Sequence, residues 1–351
     1  MAYTTIDKPT DYFNSVLYTG NGGSKTITGV GFQADFIWFK ERSSAGEHKL
    51  NVSPLGTNEY LITNSTSGTD TTGSGIQSYN SDGYAVSNAS NINDNNETYV
   101  TWNWLAGGSS ASSNSDGSIT SSVSANTTAG FSIVTYTGNG TAGATVGHGL
   151  GAVPKWFIVK RRNASGGWVV YHEDVGNTKI QELHDQAASQ TSSAAWNNTS
   201  PSSSTFTLGD YTSTNTSGGT YIAYCFAEIK GYSKFSSLFS NNSNDGTFAY
   251  TGFSPAFVML KGDVTDTWSD WYIFDNKRKT FNLNDVYLQG NDSAAENGAG
   301  DNYAQIDMLS NGFKIRRDSN WGYGDNNLEL YYMAFAESPF VTSGGIPTTA
   351  R

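Results

Sequence analysis

One stretch of sequence occurs three times along the chain in related copies, and this repeat limits the possible folds more than any other feature. The copies are SVLYTGNGGSKTITGVGFQADFIWFKER at 15–42, VTYTGNGTAGATVGHGLGAVPKWFIVKRR at 134–162 and SSLFSNNSNDGTFAYTGFSPAFVMLKGD at 236–263. A strongly aromatic segment follows each copy, namely TYVTWNWLAGG at 98–108, TYIAYCFAEIKG at 220–231 and ELYYMAFAESPF at 329–340. This spacing predicts three copies of one structural unit, each of about 100 residues.

The repeated segments have the pattern of β-strands. Apolar, aromatic and β-branched residues alternate between clusters of turn-forming residues, which is typical of short strands. Helical periodicity is weak, and its best candidate is the short stretch 179–189. The sequence therefore predicts an all-β fold of three tandem antiparallel β-sandwich units of jelly-roll or lectin-like type. The apolar runs FIWF at 36–39 and WFIV at 156–159 predict strands buried on both faces, or strands that meet a neighbouring unit.

The repeat also sets the expected boundaries. They are an N-terminal docking arm at 1–12, unit 1 at 13–106, a Gly/Ser/Thr-rich linker at 107–130, unit 2 at 131–231, unit 3 at 232–341 and a C-terminal tail at 342–351. The low complexity of the linker is typical of a flexible tether, although the alternation at 118–123 also allows an edge strand. The short junction at 231–234 predicts close contact between units 2 and 3.

Composition excludes several classes of partner. The net charge of −11 disfavours nucleic acid, because phosphate backbones repel an acidic surface. No apolar run is long enough for a membrane span, and no secretory signal is visible at the N-terminus. The single cysteine, Cys225, excludes an intramolecular disulfide and is expected to be buried in a strand.

Two motifs suggest chemistry but have simpler explanations. GNGTAG at 138–143 matches the glycine spacing of a dinucleotide-binding loop, but no helix follows it, so a turn is predicted. Glu228 and Glu337 could form the carboxylate pair of a glycosidase. They occupy equivalent positions in separate units, which predicts a structural role for both. No catalytic residue is therefore assigned.

The sequence offers few candidate metal ligands. The four histidines, His48, His148, His172 and His184, show no spacing typical of a zinc site, so no metal ligand is assigned. His172 aligns with Asp275 of unit 3, which indicates a variable polar position on a strand. No cofactor is expected. The acidic, Asn-rich loops at 91–97, 241–246 and 291–302 are predicted to be plain solvated loops, with structural calcium as the alternative that their oxygen-rich composition allows.

Tryptophans in the non-repeated loops are the candidate ligand-binding residues. A residue that recurs in every unit is expected to serve the fold, whereas a residue found in one unit is free for function. The tryptophans expected in the core are Trp38, Trp102, Trp104, Trp156, Trp168 and Trp271. The exposed aromatic residues predicted to stack on a sugar are Trp196, Trp268 and Trp321. The alternative is that these loop rings pack back onto their own unit.

Several strings in the chain resemble a family of virion proteins from marine tailed bacteriophages, including those of cyanobacteria. They are MAYTTID, SDGSITSSVSANTTAGFSIVTYTGNG, TYIAYCFAE, NGFKIR and GIPTTAR, and the resemblance extends over essentially the whole chain. It implies a phage structural or tail-fibre-like protein with lectin-type sandwiches, and it supplies no catalytic residues. A protein of this kind is assembled in the host cytoplasm and ends on the virion surface, without need of a signal peptide or disulfides.

The function expected from these observations is that of a non-enzymatic tail fibre or appendage that engages the host surface, with a glycan as the expected receptor. Other virion proteins would be its partners, the arm 1–12 would dock it to the particle, and a homotrimer is expected by analogy with fibres. One alternative is a capsid decoration or cement protein that stabilises the head. A further alternative is a polysaccharide depolymerase.

Overall fold

The protein folds almost entirely into antiparallel β-sheets, as predicted. The computed structural model describes residues 3–73, 75–264, 269–297, 304–317 and 327–348. Its two α-helices are single turns, Ser193–Trp196 (α1) and Thr212–Asn215 (α2), and two 3-10 turns lie at Pro9–Asp11 and Ser53–Leu55. No described helix is long and apolar enough to cross a membrane.

The first unit contains eight strands in two sheets. They are β1 Phe13–Thr19, β2 Lys25–Ile27, β3 Phe36–Glu41, β4 Lys49–Val52, β5 Leu61–Ile62, β6 Ile76–Asn80, β7 Gly83–Val86 and β8 Thr98–Trp104. The large sheet has the order β1-β8-β3-β4-β5, and the small sheet has the order β2-β7-β6.

The large sheet of the second unit has the same order with strands added at both edges, whereas its small sheet has two strands in place of three. Its strands are β9 Ser112–Asn114, β10 Ser121–Asn126, β11 Phe131–Thr137, β12 Ala144–Gly147, β13 Pro154–Arg161, β14 Trp168–His172, β15 Lys179–Glu182, β16 Gln190–Thr191, β17 Thr205–Leu208 and β18 Thr220–Ala227. The large sheet has the order β16-β15-β14-β13-β18-β11-β10-β9, and β12 pairs with β17. The stretch 179–189, the best helix candidate from sequence, begins instead with strand β15.

The third unit repeats the order of the first. Its strands are β19 Ser233–Phe239, β20 Phe248–Tyr250, β21 Phe253–Gly262, β22 Trp271–Asp275, β23 Leu288–Gln289, β24 Ile306–Leu309, β25 Gly312–Ile315 and β26 Glu329–Pro339. The large sheet is β19-β26-β21-β22-β23 and the small sheet is β20-β25-β24. His172 pairs with Trp156 just as Asp275 pairs with Phe257, so the alignment of these two polar positions is confirmed.

The middle strand of each large sheet is buried on both faces, as the apolar runs predicted. In β3, Ile37 and Phe39 pack against the small sheet of the same unit. Phe36 and Trp38 point the opposite way, because successive side chains of a strand alternate between its faces. They enter a hydrophobic cluster, the central core, to which all three large sheets contribute.

The central core joins the three units into one body. The Trp104 ring of unit 1 lies 6.5 Å from Phe226 of unit 2 and 5.4 Å from Phe335 of unit 3, measured between ring centroids. Trp156 of unit 2 lies 5.7 Å from Trp271 of unit 3. The units follow one another in sequence, but in space they converge instead of forming a row of separate sandwiches.

Three buried lysines, one per unit, hold neighbouring units together. The Nζ atoms of Lys40, Lys160 and Lys261 each donate to backbone oxygens both in their own unit and in the next unit around the core. The acceptors in the neighbouring unit are Ser293 O for Lys40 at 3.1 Å, Thr66 O for Lys160 at 2.8 Å and Gln186 O for Lys261 at 2.8 Å. Desolvation lowers the pKa of Lys40 and of Lys160 to about 8. The basic residue at the end of the repeated strand is therefore part of the fold.

Two segments expected to lie outside the units are built into the structure. Residues 3–12 pack against the body: Ile6 lies in the central core, and Thr4 Oγ1 donates to Lys230 O at 2.9 Å. The prediction of a flexible tether at 107–130 is wrong, because β9 and β10 extend the sheet of unit 2 through pairing with β11. The alternative of a strand in this segment is confirmed, but that strand is β10 at Ser121–Asn126, and β9 lies outside it at the edge of the sheet. Cys225 is buried in β18, as expected.

The GNGTAG segment forms a turn held by a buried asparagine. Asn215 Oδ1 accepts from the backbone N–H of Asn139 at 2.9 Å, and Asn215 Nδ2 donates to Thr141 O at 3.0 Å. Gly140 has φ +71°, a conformation that favours glycine. Strand β12 follows the turn, so the prediction of a turn is confirmed.

Gly138 of this turn should not tolerate a side chain. A Cβ atom there would lie 2.6 Å from Thr216 O, so Gly138→Ala should lower the free energy of unfolding by about 2 kcal/mol through overpacking. The matched control is Gly23→Ala, because the nearest atom to its added Cβ is 3.9 Å away. Urea unfolding measures both variants, and equal midpoints would contradict this account of the turn.

Candidate functional site

Of the three tryptophans predicted from the sequence to bind a ligand, only Trp196 lies among the described residues. Its side chain is 0% exposed, so the prediction of an exposed ring is wrong. Helix α1 turns the ring inward, where it packs 4.8 Å from the Phe157 ring and donates from Nε1 to Lys179 O at 3.1 Å. Trp268 and Trp321 lie outside the described residues. The six tryptophans expected in the core are all buried, as predicted.

A groove on the large sheet of unit 2 has a regular chemical pattern. Its volume is about 370 Å³, and nearly all of its lining side chains carry a hydroxyl group. The lining residues are Ser113, Thr120, Ser121, Ser122, Thr135, Tyr136, Thr137, Arg162 and Thr220. We call it the hydroxyl groove. The lining contains no carboxylate.

Strand register arranges these hydroxyls in two rows across the sheet. Ser122 pairs with both Ser113 and Thr135, which forms one row over β9, β10 and β11. Thr137 pairs with Thr220, and Thr120 continues that register to form the second row. Neighbouring strands lie about 4.8 Å apart, so the three spacings from β9 to β18 span about 14 Å.

Six of these hydroxyls are free to bind a ligand. Within the described part of the chain, the hydroxyls of Ser113, Thr120, Ser122, Thr135, Thr137 and Thr220 make no hydrogen bond to the protein. In contrast, Ser121 Oγ donates to Gly147 O and Tyr136 Oη donates to Thr214 O. The six hydroxyls are exposed or half-buried. Water occupies such a surface until a ligand replaces it with equivalent hydrogen bonds.

Arg162 closes one end of the hydroxyl groove. Its backbone N–H donates to Thr220 O at 2.8 Å, and its guanidinium forms an ion pair with Glu59 of unit 1. The Nε–H is buried without a partner among the described residues. A guanidinium has five N–H donors, so donors remain for an oxygen atom of a ligand.

Among the described residues, the added strands that form the hydroxyl groove occur in unit 2 alone. The strands β9 and β10 that form one side of it have no counterpart in the sheets of units 1 and 3. In unit 1, Thr19 and Thr98 pair as Thr137 and Thr220 do in unit 2, but no added strands lie beside them. Sequence reasoning missed this site because it read 107–130 as a linker. The available signal was a Ser/Thr-rich segment that the other units lack.

Comparison with known families gives one match. A family model described as a domain of unknown function, DUF7483, matches residues 8–339. The chain belongs to this family. No curated protein matches the sequence. The DUF7483 match includes all three units and the added strands β9 and β10, which agrees with a single body formed around the central core.

In each acidic loop considered for calcium, a carboxylate among the described residues contacts the protein; residues 298–302 of the third loop lie outside the described part of the chain. In the first loop Asp94 Oδ2 accepts from a backbone N–H at 2.8 Å. In the second, Asp245 pairs with Lys314, and in the third, Glu296 pairs with Arg42. For this DUF7483 protein, the expectation of no cofactor, with structural calcium as the alternative, stays a prediction.

One further cluster of titratable groups among the described residues is explained by local contacts. Glu182, His184 and Asp185 lie close enough to share a metal ion. His184 Nδ1 accepts a hydrogen bond from the Trp168 backbone N–H at 3.3 Å, so the proton of the neutral ring lies on Nε2. Nε2 is the nitrogen that faces Glu182, and a metal ion held by this cluster would need it unprotonated. Burial lowers the pKa of His184 and raises the pKa of Glu182.

The two glutamates considered as a catalytic pair also have partners. Glu228 forms an ion pair with Lys234 at 3.0 Å, and Glu337 Oε2 lies 3.5 Å from the Ser254 hydroxyl. Glu228 directly follows β18 and Glu337 lies near the end of β26, at positions that the sequence alignment makes equivalent. Each has contacts suited to the structural role predicted from the repeat.

Proposed function

We propose that this protein is a structural component of a phage particle that binds a host-surface glycan through the hydroxyl groove, without catalysis. The observation that supports glycan binding is the set of six hydroxyls, unpaired among the described residues, in a groove found in one unit of three. The phage context is supported by the resemblance of strings such as TYIAYCFAE and NGFKIR to virion proteins of marine phages.

The chemistry of the groove suits a polyhydroxylated chain better than other ligands. An apolar ligand would displace water from the six hydroxyls without replacing its hydrogen bonds, which costs affinity. A sugar chain offers donors and acceptors along its length, and a groove of about 14 Å can contact several sugar rings. Arg162 would add donors at one end. Attachment to the host surface requires that the protein bind the glycan, but it does not require that a glycosidic bond be cleaved.

A capsid decoration protein is the second candidate. The three units meet in a common core, which gives a compact body in place of the extended row expected of a fibre. Such a body suits a position on a capsid lattice. Addition of the purified protein to empty capsids would test this candidate: stable binding with a raised capsid melting temperature supports decoration, and binding only to tails supports the appendage.

Removal of two hydroxyls should weaken glycan binding. We expect Thr137→Val/Thr220→Val to bind its best polysaccharide about tenfold more weakly, because each lost hydrogen bond contributes about 0.5–1.5 kcal/mol. The matched control is Thr19→Val/Thr98→Val, which changes the equivalent pair of unit 1. Affinity electrophoresis against a panel of soluble polysaccharides identifies the best ligand and measures all three proteins.

Valine keeps the β-branched shape of threonine, so both double variants should fold like the parent. Equal retardation of the groove variant and the parent would contradict binding at the hydroxyl groove. Failure of the parent to be retarded by any polysaccharide, combined with no binding to whole host cells, would overturn glycan attachment as the function.

A further inference from the structure

A second concave site lies at the opposite end of β18 from the hydroxyl groove. Its volume is about 340 Å³, and three separate parts of the chain line it. The N-terminal segment supplies Tyr3, the junction of units 2 and 3 supplies charged groups, and the last residue of β20 supplies the Tyr250 ring. We call it the tyrosine pocket. None of its lining residues belongs to the hydroxyl groove.

Two tyrosines form its aromatic wall. Tyr250 is 55% exposed, so its ring is available to a ligand. Tyr3 Oη lies 3.1 Å from Tyr250 Oη and donates to Gly252 O at 2.8 Å, which fixes the Tyr3 ring beside the pocket. Sugars present a face of C–H groups that packs on such a ring, while the hydroxyls around that face need polar partners.

The charges in the tyrosine pocket favour an anionic group. Glu228 and Lys234 form an ion pair at 3.0 Å and cancel one another. Lys230 Nζ lies 4.6 Å from the centroid of the Tyr3 ring and has no carboxylate partner among the described residues. The lining therefore has a net positive charge, although the chain as a whole carries −11.

We propose that the tyrosine pocket binds a sugar residue with an acidic substituent, a carboxylate or a sulfate. The sugar ring packs on Tyr250, and the acidic group lies against Lys230. This inference takes its ligand class from the proposed function, but it concerns different residues. It predicts that the glycan recognised by the protein is acidic, which the neutral hydroxyl groove alone does not require.

The experiment titrates the protein with three oligosaccharides of equal length: a mannuronate hexasaccharide, a sulfated galactan hexasaccharide and neutral maltohexaose. At least one acidic probe should bind more tightly than maltohexaose, with an affinity that falls as salt is added. Tighter binding of the mannuronate would indicate a carboxylate substituent, and tighter binding of the sulfated galactan would indicate a sulfate. Acidic probes that bind no better than maltohexaose would overturn the proposal.

Variants locate the binding. Tyr250→Ala should weaken binding of the acidic probe about tenfold through loss of the ring contact, and Lys230→Met should weaken it about threefold through loss of the charge. Phe248→Ala is the matched control, because Phe248 is 42% exposed on the same strand but does not line the pocket. Unchanged affinity in both Tyr250→Ala and Lys230→Met would overturn the proposal.

The two sites can fail separately. If Thr137→Val/Thr220→Val loses polysaccharide binding, while Tyr250→Ala and Lys230→Met both bind the acidic hexasaccharide like the parent, the tyrosine pocket is refuted and the proposed function stands. If the acidic probe depends on Tyr250 and Lys230 while the groove variant binds like the parent, the pocket is supported and the groove is refuted.

Discussion

Trp104→Ala should lower the free energy of unfolding by about 4 kcal/mol and destabilise all three units together. A large aromatic residue in a core loses about 3–5 kcal/mol on truncation to alanine. The Trp104 ring is 2% exposed and contacts Phe13 of its own unit, Phe226 of unit 2, and Phe257 and Phe335 of unit 3. The cavity left by alanine would therefore open in the part of the core that all three sheets share.

Urea unfolding followed by circular dichroism, with hydrogen exchange resolved for each unit, measures this effect. We expect one transition in the parent and one transition at lower urea in Trp104→Ala. Phe281→Ala is the control, because this side chain is 79% exposed and its truncation should change stability by less than about 0.5 kcal/mol. Separate transitions for the three units, with only unit 1 shifted by Trp104→Ala, would show that the central core does not couple them.

The strand content and the repeat could be predicted from the sequence, but the convergence of the units could not. A run such as WFIV at 156–159 predicts only that both faces of the strand are buried. A second sheet of the same unit satisfies that requirement as well as a neighbouring unit does. In the structure Phe157 packs within its unit, whereas Trp156 lies in the central core. The choice depends on contacts between residues far apart in sequence.

The candidate site was harder to predict than the fold for two physical reasons. A loop position does not determine exposure, and the single turn of α1 carries the Trp196 ring into the core of unit 2. Low complexity does not determine flexibility either. The segment 107–130 has little hydrophobic content, but the free edge of β11 offers backbone hydrogen bonds that order β10, and β10 orders β9. In both cases the outcome depends on contacts with residues distant in sequence, which the composition of the segment does not reveal.

Acidification should destabilise the protein through His172. Burial lowers the pKa of His172 from 6.5 to about 4, although the Asp174 carboxylate and the Tyr332 backbone act in the opposite direction. The His172 ring packs 5.0 Å from Trp156 and 5.3 Å from Tyr331 of unit 3, so a proton would place a charge at the interface of two units. The pKa of His172 is lower in the folded protein than in the unfolded chain. The neutral ring therefore contributes fully to stability above about pH 6.5, and this contribution is lost as the pH falls toward 4. The loss between pH 7 and pH 5 should be about 2 kcal/mol.

His172→Gln separates this effect from other titrating groups. The variant should lose less stability than the parent between pH 7 and pH 5, by about 2 kcal/mol, in urea unfolding at each pH. Burial also lowers the pKa of His48, so part of the acid sensitivity should remain in the variant. A second measurement does not depend on the variant: in the native protein the His172 ring resonances should not titrate above about pH 5 in NMR. An ordinary titration near pH 6.5, or equal pH dependence in parent and variant, would mean that the interface of units 2 and 3 admits water or charge at His172.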